Sequence, residues 1–289
     1  MGILAFVGWL VGGVSMMVTA IISVATVVLL APHVSPLLVL RQHKAQRLSE
    51  IESSSLYDIL NELTERAGLS YRPTLYYLPT AMMTAFTVGL NKHSSIVVSD
   101  GLLRRMNRRE ISAILAHEVS HIKHQDMRIM AIADAMDQLV RMLSVLGLFW
   151  LLFSVPLAIF YGYAVPWLGL ILLVILPSVT SMMKMKLSRT REFEADRMAG
   201  VLTQDPLALI SALSRMEYRE WRWLTRFFLL PKQPAELSPL RTHPETDERI
   251  ARLELQAKEM ANQHPSILKR GMDRMMSRHV WELNRRNFL

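Results

Sequence analysis

Cysteine is missing from all 289 residues, so disulfides and thiolate metal ligands are excluded, and any transition-metal site has to be assembled from His, Asp and Glu. Internal repeats and low-complexity segments are also missing, and the chain reads as one large or two small ordinary domains. Acidic residues are in the minority, with 25 Asp+Glu against 33 Lys+Arg and a net charge of +8. That surplus suits nucleic acid, but no nucleic-acid motif and no aromatic-basic interleaving accompanies it. Attraction to anionic lipid headgroups explains it better. Charge is absent altogether from two long runs, 3–30 and 142–183, which concentrate the 51% hydrophobic content.

The first run exceeds the ~20 residues needed to cross a hydrocarbon core. It has no basic stretch before it and is too long for the apolar part of a cleaved signal peptide. The second, as a single helix, would measure about 63 Å, roughly twice the ~30 Å core, so it has to fold back. Tyr161, Gly162, Tyr163, Pro166 and Trp167 at its centre combine turn chemistry with the aromatics favoured at a membrane interface. Basic residues flank each span: Arg41, Lys44 and Arg47; Lys123, Arg128 and Arg141; Lys184, Lys186, Arg189 and Arg191. The hairpin loop carries none. This asymmetry predicts an outside N-terminus and cytoplasmic soluble parts, in the inner membrane if the source is bacterial. The division that follows is a membrane anchor at 1–40, a first catalytic part at 41–141, a transmembrane hairpin at 142–183 and a second catalytic part at 184–289. Whether 31–40 makes a second pass is open.

The soluble parts read as α+β and mainly helical. Helical spacing runs over 44–67, and β-rich stretches follow at 74–78, 84–90 and 95–99. Asn107 with Glu110 resembles a capping box opening a helix through at least Ile122. Further helices are predicted over 188–202, from Asp205-Pro206 onward, and after Pro244.

Inside the capped helix lies His117-Glu118-Val119-Ser120-His121. Residues four apart project from one helix face, about 6 Å along the axis, so both imidazoles can converge on one ion. Glu118 is rotated about 100° from His117 and can reach a water beside that ion without being a ligand. Zinc suits nitrogen and oxygen donors in a tetrahedron with one place left for solvent. Two residues compete to be the third ligand. His124 lies about 10 Å along the axis from His117, too far to join both histidines. Glu192, on the separate helix predicted just past the hairpin, is the better candidate. Asp196, one turn later on the same face, is placed to accept a hydrogen bond from a ligating imidazole. The bland alternative for these acids is an exposed helix of alternating charge.

Taken in order, these residues resemble the HtpX and CAAX prenyl endopeptidase group of membrane zinc metallopeptidases. The landmarks are Ala85-Phe86 with Gly89, Ile96-Val97-Val98, Gly101-Leu102-Leu103, the His117–His121 motif with Asp126, and Arg191-Glu192-Phe193 with Ala195-Asp196. The resemblance implies a zincin-like catalytic domain with one Zn²⁺ per chain, held by His117, His121 and Glu192. It also implies Glu118 as catalytic base and Asp196 behind the ligands. Thr242-His243-Pro244 with Glu248-Arg249-Ile250 is similar to the group's C-terminal signature, which implies His243 first, and Arg249 second, as the partner of the developing oxyanion. Two features depart from the pattern: Thr84 stands where the group usually has Asn, and the N-terminal region shows one clear span where bacterial members commonly have two.

The expected activity is peptide-bond hydrolysis, in which Glu118 takes a proton from water and returns it to the leaving amine. Expected partners are the lipid bilayer and polypeptides, membrane or unfolded proteins above all, and not nucleic acid. Thr84, Ala85, Phe86 and Gly89 mark the strand on which an extended substrate would add. Glu192 lies nine residues past Met183, so even a straight helix keeps it within ~14 Å of the membrane end. The rival from another class is a noncatalytic membrane adaptor with a structural or vestigial zinc site and a basic C-terminal segment, 269–286.

Overall fold

In a computed structural model of the chain, residues 2–30, 40, 44–51, 53–90, 93–162, 167–228 and 246–263 are described. In chain order they form α1 (Gly2–Leu30), β1 (Gln46–Arg47), α2 (Ser54–Ala67), β2 (Thr74–Leu78), β3 (Ala85–Val88), β4 (Ser95–Ser99), α3 (Asp100–Leu103), α4 (Arg108–Lys123), α5 (Asp126–Tyr161), α6 (Trp167–Thr203), α7 (Pro206–Phe228) and α8 (Thr246–Gln263). The fold is mostly helical with a small mixed sheet. It divides into two compact units, Met1–Ser35 with Asp126–Ser188, and Pro36–Gln125 with Arg189–Leu289.

In the first unit α1 packs along α5, burying Val24 against Leu139 and Val140. α5 ends at Tyr161 and α6 begins at Trp167; most of the turn expected between them lies outside the described residues. Near the charged end of the pair, buried Asp137 accepts hydrogen bonds from Arg141 at 3.2 Å, Thr180 at 3.1 Å and Ser181 at 2.9 Å. Lys184 bridges to Asp134 at 3.1 Å. Every partner in this network is opposite in charge or a hydroxyl, so the buried carboxylate is compensated. Elsewhere on these helices Phe149, Leu152, Phe160, Trp167, Val174 and Met183 are exposed. α6 is long and apolar enough to cross a membrane.

The second unit is built on the sheet, in the order β1-β2-β4-β3. β2 and β4 are parallel, in register Leu75 to Ile96, while β1 on β2 and β3 on β4 are antiparallel. Strand pleating sends alternate side chains to opposite faces. Leu75, Ile96, Val98 and Ala85 accordingly meet the helical core of α2, α4 and α7, whereas Leu78, Val97, Val88 and Phe86 pack with Leu40 on the other face. β3 is an edge of the sheet among the described residues.

α4 runs through the middle of this core, with Ala113, Ala116, Val119 and Ser120 fully buried. Its start is the predicted capping box: the Asn107 side chain accepts from the Glu110 N–H, and the Glu110 carboxylate accepts from the Asn107 N–H, both at 3.0 Å. Glu110 also accepts from Ser211 at 2.6 Å and pairs with Arg215 at 3.1 Å, which ties the helix start to α7. The Asp205 cap is present as well, its carboxylate accepting from the Ala208 N–H at 3.2 Å.

Two expectations are corrected. The helix expected over 44–67 begins only at Ser54. Gln46 and Arg47 instead pair with Tyr77 and Tyr76 as an edge strand, and the N–H of Leu48 bonds the carbonyl of Leu75 at 3.0 Å, because the sheet offers ladder partners that a solvent-facing first turn lacks. The helix expected over 188–202 is not separate: it is the last part of α6, continuous from Trp167. Residues 31–39, the Thr242-His243-Pro244 signature and the basic segment 269–286 lie outside the described residues.

Candidate metal centre

Helical spacing on α4 stacks His117 one turn below His121, with ring centroids 4.6 Å apart and planes at 88°. Their Nε2 atoms face each other at 3.1 Å. From α6, Glu192 brings Oε2 to 3.5 Å from His117 Nε2 and Oε1 to 3.8 Å from His121 Nε2. One donor atom from each of the three lies within 4.8 Å of the others, and His117 and Glu192 are buried. A tetrahedral ion with bonds of about 2.0–2.1 Å would set its ligand atoms about 3.3 Å apart. The three side chains present such a triangle, in nitrogen and oxygen donors that zinc accepts, so they fit the ion.

Outer contacts hold this geometry. His117 Nδ1 lies 2.9 Å from Oδ1 of Asp196, which directs the ring's Nε2 lone pair toward the other donors. Asp196 is gripped in turn by Arg249, whose Nε and Nη2 each donate at 2.7 Å, one to each carboxylate oxygen. Nη1 of Arg249 is 3.4 Å from Oε2 of Glu192. Burial alone would raise the Asp196 carboxyl, but hydrogen bonding from Arg249 and then His117 holds it below the usual carboxylate range. For His117, burial disfavours the charged ring; Asp196 and then Glu192 outweigh it and push the imidazole up to about 10 in the metal-free chain.

Glu118 points from α4 toward the sheet, and its Oε2 accepts a hydrogen bond from Thr87 Oγ1 of β3 at 2.7 Å. Thr87 is not among the strand residues expected to receive substrate, Thr84, Ala85, Phe86 and Gly89; the period-2 pleat, which puts 85 and 87 on one face, is the signal that finds it. Thr84 anchors the strand's start, exchanging bonds with Ser99 at 3.0 Å in both directions, and Gly89 ends it at φ 93, a left-handed conformation that other residues adopt only under strain. His124 turns away to Ser120, with Nδ1 3.2 Å from Oγ. The arrangement combines three converging donors, the carboxylate of the helix residue that follows His117, and an edge strand whose Thr87 touches that carboxylate, a set suited to hydrolysis of a polarised carbonyl.

The sequence pattern of peptidase family M48 matches residues 50–257. The chain is similar to a protease HtpX homolog of Ralstonia pickettii (strain 12J), 31% identical over 269 residues, 86% of this chain and 89% of the relative. A protease HtpX homolog of Campylobacter concisus (strain 13826) is 31% identical over 286 residues, with 92% and 93% covered. One of Sulfurovum sp. (strain NBC37-1) is 33% identical over 265 residues, with 86% and 92% covered. Among solved structures, that of S. mikatae Ste24p is 20% identical with a TM-score of 0.49; the match covers 82% of this chain and 56% of that one. By the extent of the family match and of its relatives, this chain belongs to peptidase family M48 and is a membrane-associated metalloprotease.

Proposed function

We propose that the chain is a zinc-dependent endopeptidase that cleaves membrane or misfolded polypeptides at the cytoplasmic face, as a protein quality-control enzyme. The observation that carries this reading is the convergence of His117, His121 and Glu192 beside a carboxylate that is not itself one of the three. His117, His121 and Glu192 hold the ion, one per chain. Zinc, when bound, supplies a Lewis acid that polarises the scissile carbonyl and makes water more acidic. Glu118 accepts the proton from the attacking water and passes it to the leaving amine. Asp196 fixes the tautomer of His117. Arg249, with its guanidinium spread over Asp196 and Glu192, neutralises that carboxylate pair, and the oxyanion partner is His243.

The substrate adds to the edge of the sheet at β3 as an extended strand, using main-chain hydrogen bonds that ask little of its sequence. Two stretches, 41–141 and 184–289, make one catalytic domain, interrupted by the transmembrane hairpin 142–183 and preceded by the anchor 1–40. The exposed apolar side chains of α5 and α6 support the hairpin, because a water-facing surface rarely carries so many in a row. The positive-inside pattern of the flanks supports cytoplasmic catalysis.

The test is Glu118→Gln purified beside the wild type. Zinc retained with cleavage of casein and of a detergent-solubilised membrane protein abolished is the expected result. Cleavage that survives the substitution, or that a chelator leaves untouched, overturns the reading. Preference for the membrane substrate over casein tests the substrate class.

A further inference from the structure

One residue, Thr87, touches both the proposed base and the proposed substrate strand. Its side chain is buried on the helix-facing side of β3, opposite Ile96 of β4. The hydroxyl has two acceptors within reach: Glu118 Oε2 at 2.7 Å and the Glu118 carbonyl at 3.4 Å. An ionised carboxylate only accepts, so the Thr87 proton goes to it, and the shorter contact is the charge-assisted one. With Oε2 held, the proton exchanged with water falls to Oε1.

The main chain of the same residue faces the other way. The carbonyl of Thr84 accepts from the N–H of Ser99, and β3 continues that antiparallel register with Ala85 opposite Val98 and Thr87 opposite Ile96. In such a pair, hydrogen-bonded and non-hydrogen-bonded positions alternate. Positions 84, 86 and 88 therefore direct their N–H and C=O groups to β4, whereas those of Ala85 and Thr87 point to the sheet's edge.

We propose that Thr87 is a positioning residue for peptide hydrolysis: its hydroxyl sets the rotamer of Glu118 while its main chain hydrogen-bonds the added substrate strand, so that docking of the peptide registers the base against the scissile bond. This rests on the endopeptidase reading above, and it adds that base and strand are one mechanical piece. A rotamer set from the strand keeps the carboxylate at the same height as the peptide that the strand receives, and small displacements of a reacting group are costly.

The experiment compares Thr87→Val, which keeps shape and strand propensity but removes the hydroxyl, with Thr87→Ser and Glu118→Gln, all in the full chain in detergent. Five quantities are measured: kcat and KM on a quenched fluorescent peptide, zinc per chain, thermal midpoint, and Kd for a non-cleavable peptide by fluorescence anisotropy. For Thr87→Val, kcat is expected to fall roughly ten- to hundred-fold, as for loss of a hydrogen bond to a charged group. KM and the anisotropy Kd should stay within about two-fold, because the main chain remains, and zinc and midpoint should match the wild type. Thr87→Ser should restore most of kcat. Unchanged kcat in Thr87→Val while Glu118→Gln is inactive overturns the proposal and leaves the endopeptidase reading standing. A loss that tracks zinc content or the thermal midpoint, or that Thr87→Ser does not relieve, overturns it too. Activity in Glu118→Gln sinks the reading beneath it instead.

Discussion

His117 and Asp196 meet at 2.9 Å through Nδ1 and Oδ1, across two helices whose residues are 79 positions apart in the chain (196 − 117). The contact fixes which imidazole nitrogen faces the other donors, and Arg249 holds the carboxylate from behind. Asp196→Ala should therefore weaken zinc binding roughly 10–100-fold, the usual effect of losing an outer partner of a ligating histidine. His124→Ala should leave it unchanged. Competition with a chromogenic chelator measures both.

The same contact sets a pH dependence. In the metal-free chain the carboxylates of Asp196 and Glu192 outweigh burial and push His117 up to about 10, so at neutral pH the ring carries a proton that zinc has to displace. Affinity for zinc should rise with pH by about ten-fold per unit for that proton. Because the folded value lies above the unfolded one, His117 stabilises the metal-free fold fully below about 6.5, and the contribution is lost as pH rises through about 10. Chelator competition from pH 6 to 9 reads the first effect, and a flat profile contradicts it.

The two histidines, Glu118 and the capping box are local, and their geometry follows from helical periodicity alone. Glu192 and Asp196 follow from the need for a third donor on a second helix, from their spacing of one turn on that helix, and from the family resemblance. The three core strands were visible through β-branched runs, but β1 was not: two residues carry no periodicity, and their state is decided by the ladder partners Tyr76 and Tyr77. Arg249 was placed near the site by resemblance, yet its grip on Asp196 is tertiary and no spacing rule encodes it. Thr87 is legible only in part: the pleat places it on the helix-facing side with Ala85, but no spacing rule pairs it with Glu118 on another element.

Asn107 supports the metal helix from its first turn. Asn107→Ala removes one of the two reciprocal 3.0 Å bonds of the capping box and should cost about 1 kcal/mol. A lower thermal midpoint with zinc content unchanged is the expected outcome, since Glu110 keeps Ser211 and Arg215 as partners.

Gly101 is held by close approach. A Cβ there would lie 2.3 Å from the Ala81 carbonyl oxygen and 2.5 Å from that of Met82, both backbone atoms of the segment leading into β3. Gly101→Ala should move that segment, costing about 1–3 kcal/mol as an overpacked site does, and should raise KM as the edge strand shifts. Wild-type KM and midpoint together would show that the segment yields without consequence.

Arg249 distinguishes two roles by which quantity fails. As an oxyanion partner it would contribute only once the carbonyl carbon becomes tetrahedral, and Arg249→Lys would lower kcat with zinc and stability intact. As the clamp seen between Asp196 and Glu192, it supplies a planar fork that an ammonium cannot reproduce. Arg249→Lys should then weaken zinc binding and lower the thermal midpoint along with activity. Arg249→Met, which removes the guanidinium that both buried carboxylates contact, should cost about 3–5 kcal/mol. Zinc stoichiometry and midpoint, measured before any kinetics, decide between them, and the geometry of the Asp196 contact favours the clamp.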